Sequence, residues 1–239
     1  MRHNPFQGTG LALVTPFAAD GSLDRAALVR LVNHSIDGGV DFLVVLGTTG
    51  ETATLATDEK KQVLETVAET TNGRIPLVVG VGGNNTAAVC AQLEAGLPSG
   101  YTGVLSVSPY YNKPTQEGIY QHYKAVCGST DAPVILYNVP GRTGSNVLAN
   151  TVLRVAQDCP NAVAMKEASG NLEQAMAIIQ SAPAGFDVLS GDDNLTLPLL
   201  ACGAKGVISV SGQAYPRLFS GMVRDARAGR LEDAQRAHY

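Results

Sequence analysis

Apolar, β-branched runs recur along this 239-residue chain, beginning near Leu11, Val40, Ile75, Gly103, Ala132, Ala162, Phe186 and Gly206. Nearly every one breaks into a polar turn that holds glycine or proline. The runs are continuous rather than alternating, which is the pattern of strands buried on both faces in a parallel sheet covered by helices. Helical patterns lie between them. In LDRAALVRLVNHSIDGG the apolar positions Leu28, Leu31, Val32 and Ile36 share one face, and Gly38-Gly39 supplies a stop. In TDEKKQVLETVAETTNGR, Thr57 is placed to cap a helix, Asp58 and Glu59 suit its positive end, and Asn72-Gly73 ends it. Eight such strand–helix units in this length predict an α/β fold, the (β/α)8 TIM barrel. The rival is a doubly wound open sheet, which would need a dinucleotide fingerprint or a phosphate loop, and neither GxGxxG nor GxxxxGK[ST] follows the first strands.

No linker or low-complexity segment interrupts the pattern, so residues 1–229 are expected to form one catalytic barrel. Residues 230–239, RLEDAQRAHY, look like the start of a C-terminal helical segment that is cut short. A net charge of -4, from 17 basic and 21 acidic residues spread along the chain, offers no basic stripe, so nucleic acid is not an expected partner. The N-terminal MRHNPFQGTG has no apolar signal region, and no window approaches the run of ~18 apolar residues that a membrane span needs. Cys90, Cys127, Cys159 and Cys202 are widely separated and form no CxxC, which suits a reducing compartment. The expected location is the cytoplasm.

In a barrel the reactive groups stand at the C-terminal ends of strands, so the turns after the apolar runs carry the chemistry. Lys166 follows Ala162-Val163-Ala164-Met165 directly and belongs to the strand itself. Desolvation inside a barrel lowers a lysine's pKa and frees the neutral amine to attack a carbonyl. The alternative is a lysine that snorkels from the strand end into water. Tyr137 likewise ends the run APVILYN, where its phenol could pass protons, or could be a core tyrosine with a satisfied hydroxyl. Arg142 lies in a loop set by Pro140, Gly141 and Gly144; it could grip a carboxylate bidentately or be a solvated loop arginine. In GTTGE, Gly47 to Gly50 could let backbone N–H groups and the Thr48 and Thr49 hydroxyls converge on a small anion, or could be a simple tight turn. His3, His34, His122 and His238 have no ligand spacing, and Asp192-Asp193 reads as a cap at a helix start rather than a metal site. No metal and no organic cofactor is expected.

Taken in order, GTTGE, SPYYNKP, YNVPGRTG, KEASG and GAKGVISV resemble the dihydrodipicolinate synthase family, within the pyruvate-dependent class I aldolase superfamily that includes N-acetylneuraminate lyase. The resemblance runs from about Gly8 to Gly229. It implies a lyase that condenses pyruvate with L-aspartate 4-semialdehyde, in the route to diaminopimelate and lysine. It implies that Lys166 forms a Schiff base with pyruvate and that Tyr137, Thr48 and Tyr111 relay protons. Thr49 then helps seat the pyruvate carboxylate, Arg142 holds the semialdehyde carboxylate, and Gly191 and Ile208 line the pyruvate pocket. The tyrosine matching Tyr111 reaches into a neighbouring subunit in the family, so a homo-oligomer is implied, usually a tetramer. A related aldolase for a 2-keto-3-deoxy sugar acid or N-acetylneuraminate is the alternative activity, and a catalytically impaired, shortened barrel is another. The arginine of YNVPGRTG favours the synthase, because sugar-acid aldolases need hydroxyl-binding groups there.

Overall fold

The computed structural model describes residues 4–239, so His3 lies outside the described residues. Eight parallel strands close into a barrel in sequence order: β1 (Gly8–Ala12), β2 (Phe42–Val45), β3 (Leu77–Gly80), β4 (Gly103–Val107), β5 (Val134–Asn138), β6 (Ala162–Glu167), β7 (Asp187–Ser190) and β8 (Gly206–Ser209). Around it run α1 (Arg25–Asp37), α2 (Thr57–Thr71), α3 (Thr86–Glu94), α4 (Gln116–Gly128), the single turn α5 (Pro140–Thr143), α6 (Ala149–Asp158), α7 (Leu172–Ser181), α8 (Thr196–Ala201), α9 (Pro216–Arg227) and α10 (Leu231–His238). The (β/α)8 barrel predicted from the apolar runs is the fold observed.

Local chemistry sets the helix ends. Asp24 caps α1 by accepting from Ala27 N at 2.8 Å, and Gly39 leaves it at φ 82°, where a side chain is rarely tolerated. Thr57 turns out to be the first helical residue of α2 rather than its cap; Ala56 is the cap, and the Glu59 carboxylate accepts from Ala56 N at 2.8 Å. Asn72, at φ 46°, ends that helix where the Asn-Gly pair predicted. α10 forms from the last residues and buries Ala234 beside Met222 and Val223 of α9.

Two cores result, one on each side of the cylinder. The outer one packs residues such as Leu11, Leu43, Val79 and Met165 against the helices. The inner one fills the barrel with Ala12, Phe42, Val44, Val78, Leu105, Ile135, Leu189 and Ile208. At the lower end the rings of Phe6 and Phe42 lie 5.6 Å apart and plug the cylinder. They fit because Gly10 and Gly103 face them: a Cβ at either glycine would come within 2.3 Å of a ring carbon. These two rings therefore close the lower end of the barrel interior.

Candidate active site

Tyr137 and Lys166 are register partners across β5 and β6, so both side chains enter the barrel at the same height near its upper end. The Lys166 Nζ lies 4.4 Å from the centroid of the Tyr137 ring, and the residue is only 5% exposed. Burial pushes the ammonium pKa down to about 8, while the carboxylates of Asp193 and Asp192 pull it up and the Arg142 charge pushes it further down. Snorkelling is thus not what this lysine does. Burial also raises the Tyr137 phenol, opposed by the Arg142 charge and by a hydrogen bond with Thr48. A tyrosine and a lysine with shifted titration, stacked at two adjacent strand ends, form a unit suited to moving protons around an amine.

Above this pair opens a cavity of about 490 Å³ whose lining includes Thr48, Tyr110, Tyr137 and Arg142, with Val107 and Val139 as apolar wall. Lys166 is not on that lining, whereas Tyr137, whose ring centroid lies 4.4 Å from its Nζ, is. Thr48 opens a 3-10 turn, Thr48–Gly50, at the end of β2. Left-handed backbone occurs on either side of the turn, at Leu46 (φ 58°) and Glu51 (φ 54°), rather than at Gly47. The glycine this corner requires is Gly80 of β3, where a Cβ would lie 2.3 Å from the Leu46 carbonyl oxygen. Gly50 N donates to the Gly47 carbonyl and Glu51 N to the Thr48 carbonyl, so of the amides in the Gly47–Gly50 segment that of Gly50 is taken up within the turn. The Thr48 and Thr49 amides, the first two of the turn, donate no backbone hydrogen bond among the described residues, and with the threonine hydroxyls they are the groups left to meet an anion.

Arg142 is held by α5, whose amides at Arg142 and Thr143 donate to the Val139 carbonyl at 2.9 and 3.0 Å. Thr49 is half-buried beside Thr48 but is not part of the cavity lining. Ile208 is fully buried in the inner core, beneath the polar residues. Gly191 N donates to the Glu167 carbonyl at 2.7 Å, and a Cβ there would sit 2.5 Å from the Ala168 methyl, so this position needs glycine for close packing of two strand ends. Tyr111 is not brought to the others within one chain: it is 86% exposed, at φ 73°, on the lip formed by the loop after β4.

Two features escaped the sequence. Asp192 and Asp193 face Lys166 electrostatically, and Asp193 caps the turn after β8, not its own helix, accepting from Ser211 N at 2.8 Å and Val210 N at 3.2 Å. The second is a buried polar cluster around Asn138 and Glu167, on the other face of the strands that carry Tyr137 and Lys166. Their adjacency to Tyr137 and Lys166 in the sequence was the available signal. Among the described residues no group of three His, Cys, Asp or Glu side chains could hold a metal ion, and no helix is long and apolar enough to cross a membrane.

The chain matches the model of the Dihydrodipicolinate synthetase family over residues 5–239. A 4-hydroxy-tetrahydrodipicolinate synthase of Flavobacterium psychrophilum is 56% identical over 234 residues, covering 98% of this chain and 80% of that protein. One of Parabacteroides distasonis is 53% identical, covering 98% of this chain and 78% of the relative. The crystal structure of dihydrodipicolinate synthase from Thermotoga maritima superposes with a TM-score of 0.95 at 42% identity, over 98% of this chain and 80% of that one.

Proposed function

The chain belongs to the Dihydrodipicolinate synthetase family, and on that footing we infer that it is a lyase condensing pyruvate with L-aspartate 4-semialdehyde to 4-hydroxy-tetrahydrodipicolinate. The observation that carries the chemistry is the buried Lys166 ammonium, pushed down to about 8 and stacked on Tyr137 at the open end of the barrel.

We assign the roles as follows. The neutral Lys166 amine attacks the pyruvate carbonyl carbon, and loss of water leaves a protonated imine. Removal of a methyl proton gives the enamine, whose carbon bonds to the aldehyde carbon of the second substrate. The amino group of that substrate then attacks the imine carbon, closes the ring and releases Lys166. The proton transfers of these steps are assigned to Tyr137, whose phenol burial pushes up while the Arg142 charge and the neighbouring Thr48 hydroxyl act to lower it. Arg142, on the cavity wall with its charge near Tyr137, is placed to hold the semialdehyde carboxylate. Thr49, Gly191 and Ile208 shape the pyruvate end.

Tyr111 fits this scheme as a group delivered to the site of a second copy, since its own ring stands in solvent at the cavity lip. A homo-oligomer is accordingly part of the proposal, as is a cytoplasmic location. The reaction is tested by steady-state condensation of pyruvate with L-aspartate 4-semialdehyde, run beside cleavage of 2-keto-3-deoxy sugar acids and N-acetylneuraminate. The synthase is expected to favour the semialdehyde; faster sugar-acid cleavage would overturn the assignment.

A further inference from the structure

The registered pair on the outward face, Asn138 of β5 and Glu167 of β6, is 0% and 3% exposed. Glu167 is a carboxylate in a nearly dry place, and none of the ion pairs among the described residues involves it. It is instead saturated by neutral donors. Its Oε1 accepts from Ser169 N at 2.7 Å and from Asn138 Nδ2 at 3.1 Å, and its Oε2 accepts from Gln174 Nε2 at 2.9 Å. A buried charge without a counter-ion is costly unless hydrogen bonds compensate it, and these do.

What these bonds fix is visible from the partners. Asn138 Nδ2 also donates to Asn146 Oδ1 at 2.7 Å, and Asn138 Oδ1 accepts from Val147 N at 3.0 Å. Asn138 and the Asn146-Val147 pair are the two ends of the turn that carries Arg142, so Asn138 closes that turn like a clasp. Asn146 Nδ2 donates to Gln174 Oε1 at 2.8 Å, and Gln174 in turn donates to Glu167, completing a ring of four side chains. The strand ladder holds Lys166 whether or not the ring exists. The Arg142 turn has no ladder: beyond its own amide bonds to Val139, Gln116 of α4 donates to the Asn146 carbonyl at 2.8 Å and accepts from Leu148 N at 3.1 Å, and the ring alone ties the turn to Glu167 of β6 and Gln174 of α7.

We propose that Glu167 is a positioning residue that fixes the Arg142 turn at a set distance from the Lys166 strand, and thereby the second-substrate site relative to the first. This rests on the roles given above to Lys166 and Arg142. In Glu167→Gln an amide nitrogen replaces one acceptor oxygen, so the Gln174 donor, or another, meets a donor. The double variant Glu167→Gln with Gln174→Glu reverses that contact: the new amide at position 167 donates to the new carboxylate at position 174, while the amide oxygen still accepts from Ser169 N and Asn138.

Three measurements on full-length chains test this: KM for each substrate, kcat, and borohydride trapping of pyruvate followed by mass spectrometry. For Glu167→Gln the KM for L-aspartate 4-semialdehyde should rise about tenfold, the scale of one lost hydrogen bond to a charged group. The pyruvate KM and the trapping rate should stay near wild type, and the double variant should recover most of the semialdehyde KM. Unchanged semialdehyde KM in Glu167→Gln would overturn the proposal, as would equal damage to both substrates. If Glu167→Gln does not fold, the double variant decides: a folded protein with recovered KM supports the proposal, and an impaired or unfolded one overturns it. Failure of the Schiff-base assignment would show separately, as wild-type protein that traps no pyruvate on Lys166.

Discussion

The two faces of the β5–β6 pair treat charge in opposite ways. Facing inward, Lys166 has the Tyr137 ring 4.4 Å away and the fields of Asp192 and Asp193, but none of the ion pairs among the described residues reaches it. Facing outward one residue later, Glu167 is buried just as deeply and its oxygens are saturated with hydrogen bonds. The strand period of two makes this possible, because consecutive residues enter different environments while sharing one backbone. Reactivity in this fold follows from that contrast. A charge deprived of water and of close partners is driven toward its neutral, nucleophilic form, whereas a charge deprived of water but fully bonded becomes rigid.

Removing the inward charge should have the largest effect. Lys166→Ala should abolish the pyruvate adduct and lower turnover by more than about a thousandfold, because the nucleophile is gone. Circular dichroism should still report a folded barrel, since the change lies at a strand end. Condensation at the wild-type rate would make another lysine the nucleophile, with Lys205 the next to examine.

Tyr111 extends the contrast by asking whether the inward face is complete in one chain. If its hydroxyl serves a neighbouring site, activity per chain should fall about a hundredfold when dilution yields monomers, the typical contribution of a positioned proton donor. Sedimentation and rate measured over one concentration range check this, and full activity in the monomer would refute it. Arg142→Ala should raise the semialdehyde KM by about tenfold or more while sparing pyruvate trapping, the loss expected for a charged hydrogen bond. Equal harm to both half-reactions would count against its assignment to the second substrate.

The mildest effect is on stability, and its sign follows from the depressed pKa. Between about 8 and the ordinary value of 10.5, the unfolded chain keeps a proton on Lys166 that the native state has shed. Stability from this group therefore rises with pH through that window, and below it the buried charge is a penalty of about 3 kcal/mol. Lys166→Met should accordingly unfold at a higher Tm than wild type at pH 7, with the gap narrowing toward pH 10. A lower Tm at pH 7 would mean that the burial penalty is already offset.

The barrel was legible because continuous apolar runs and their turns repeat eight times, and Lys166 and Tyr137 were legible because each directly ends such a run. What stayed hidden involves contacts between turns distant in the chain. Nothing in GTTGE indicates that left-handed backbone falls on Leu46, or that the Leu46 carbonyl approaches β3 so closely that position 80 must be glycine. Nor does Asp192-Asp193 reveal that Asp193 caps a turn after the next strand. The ring joins Glu167 with Asn138, Asn146 and Gln174: the parallel register of β5 and β6 pairs Asn138 with Glu167, and the loop before α6 and helix α7 bring Asn146 and Gln174 to them. Arg142 lies between the two views: its sequence context marks a turn closed by its own amide bonds to Val139, and the side chains that tie this turn to β6 and α7 come from elsewhere in the chain.

Whether the inward, desolvated lysine is the nucleophile can be read from trapping with the fewest intervening steps. Wild-type protein is incubated with pyruvate and borohydride across pH 6 to 10, and the reduced adduct is mapped by peptide mass spectrometry; pH values here bracket the pKa of about 8. A single adduct on Lys166 is expected, forming faster as pH rises through that value and levelling off above it. An adduct on another lysine, or none, would refute the assignment.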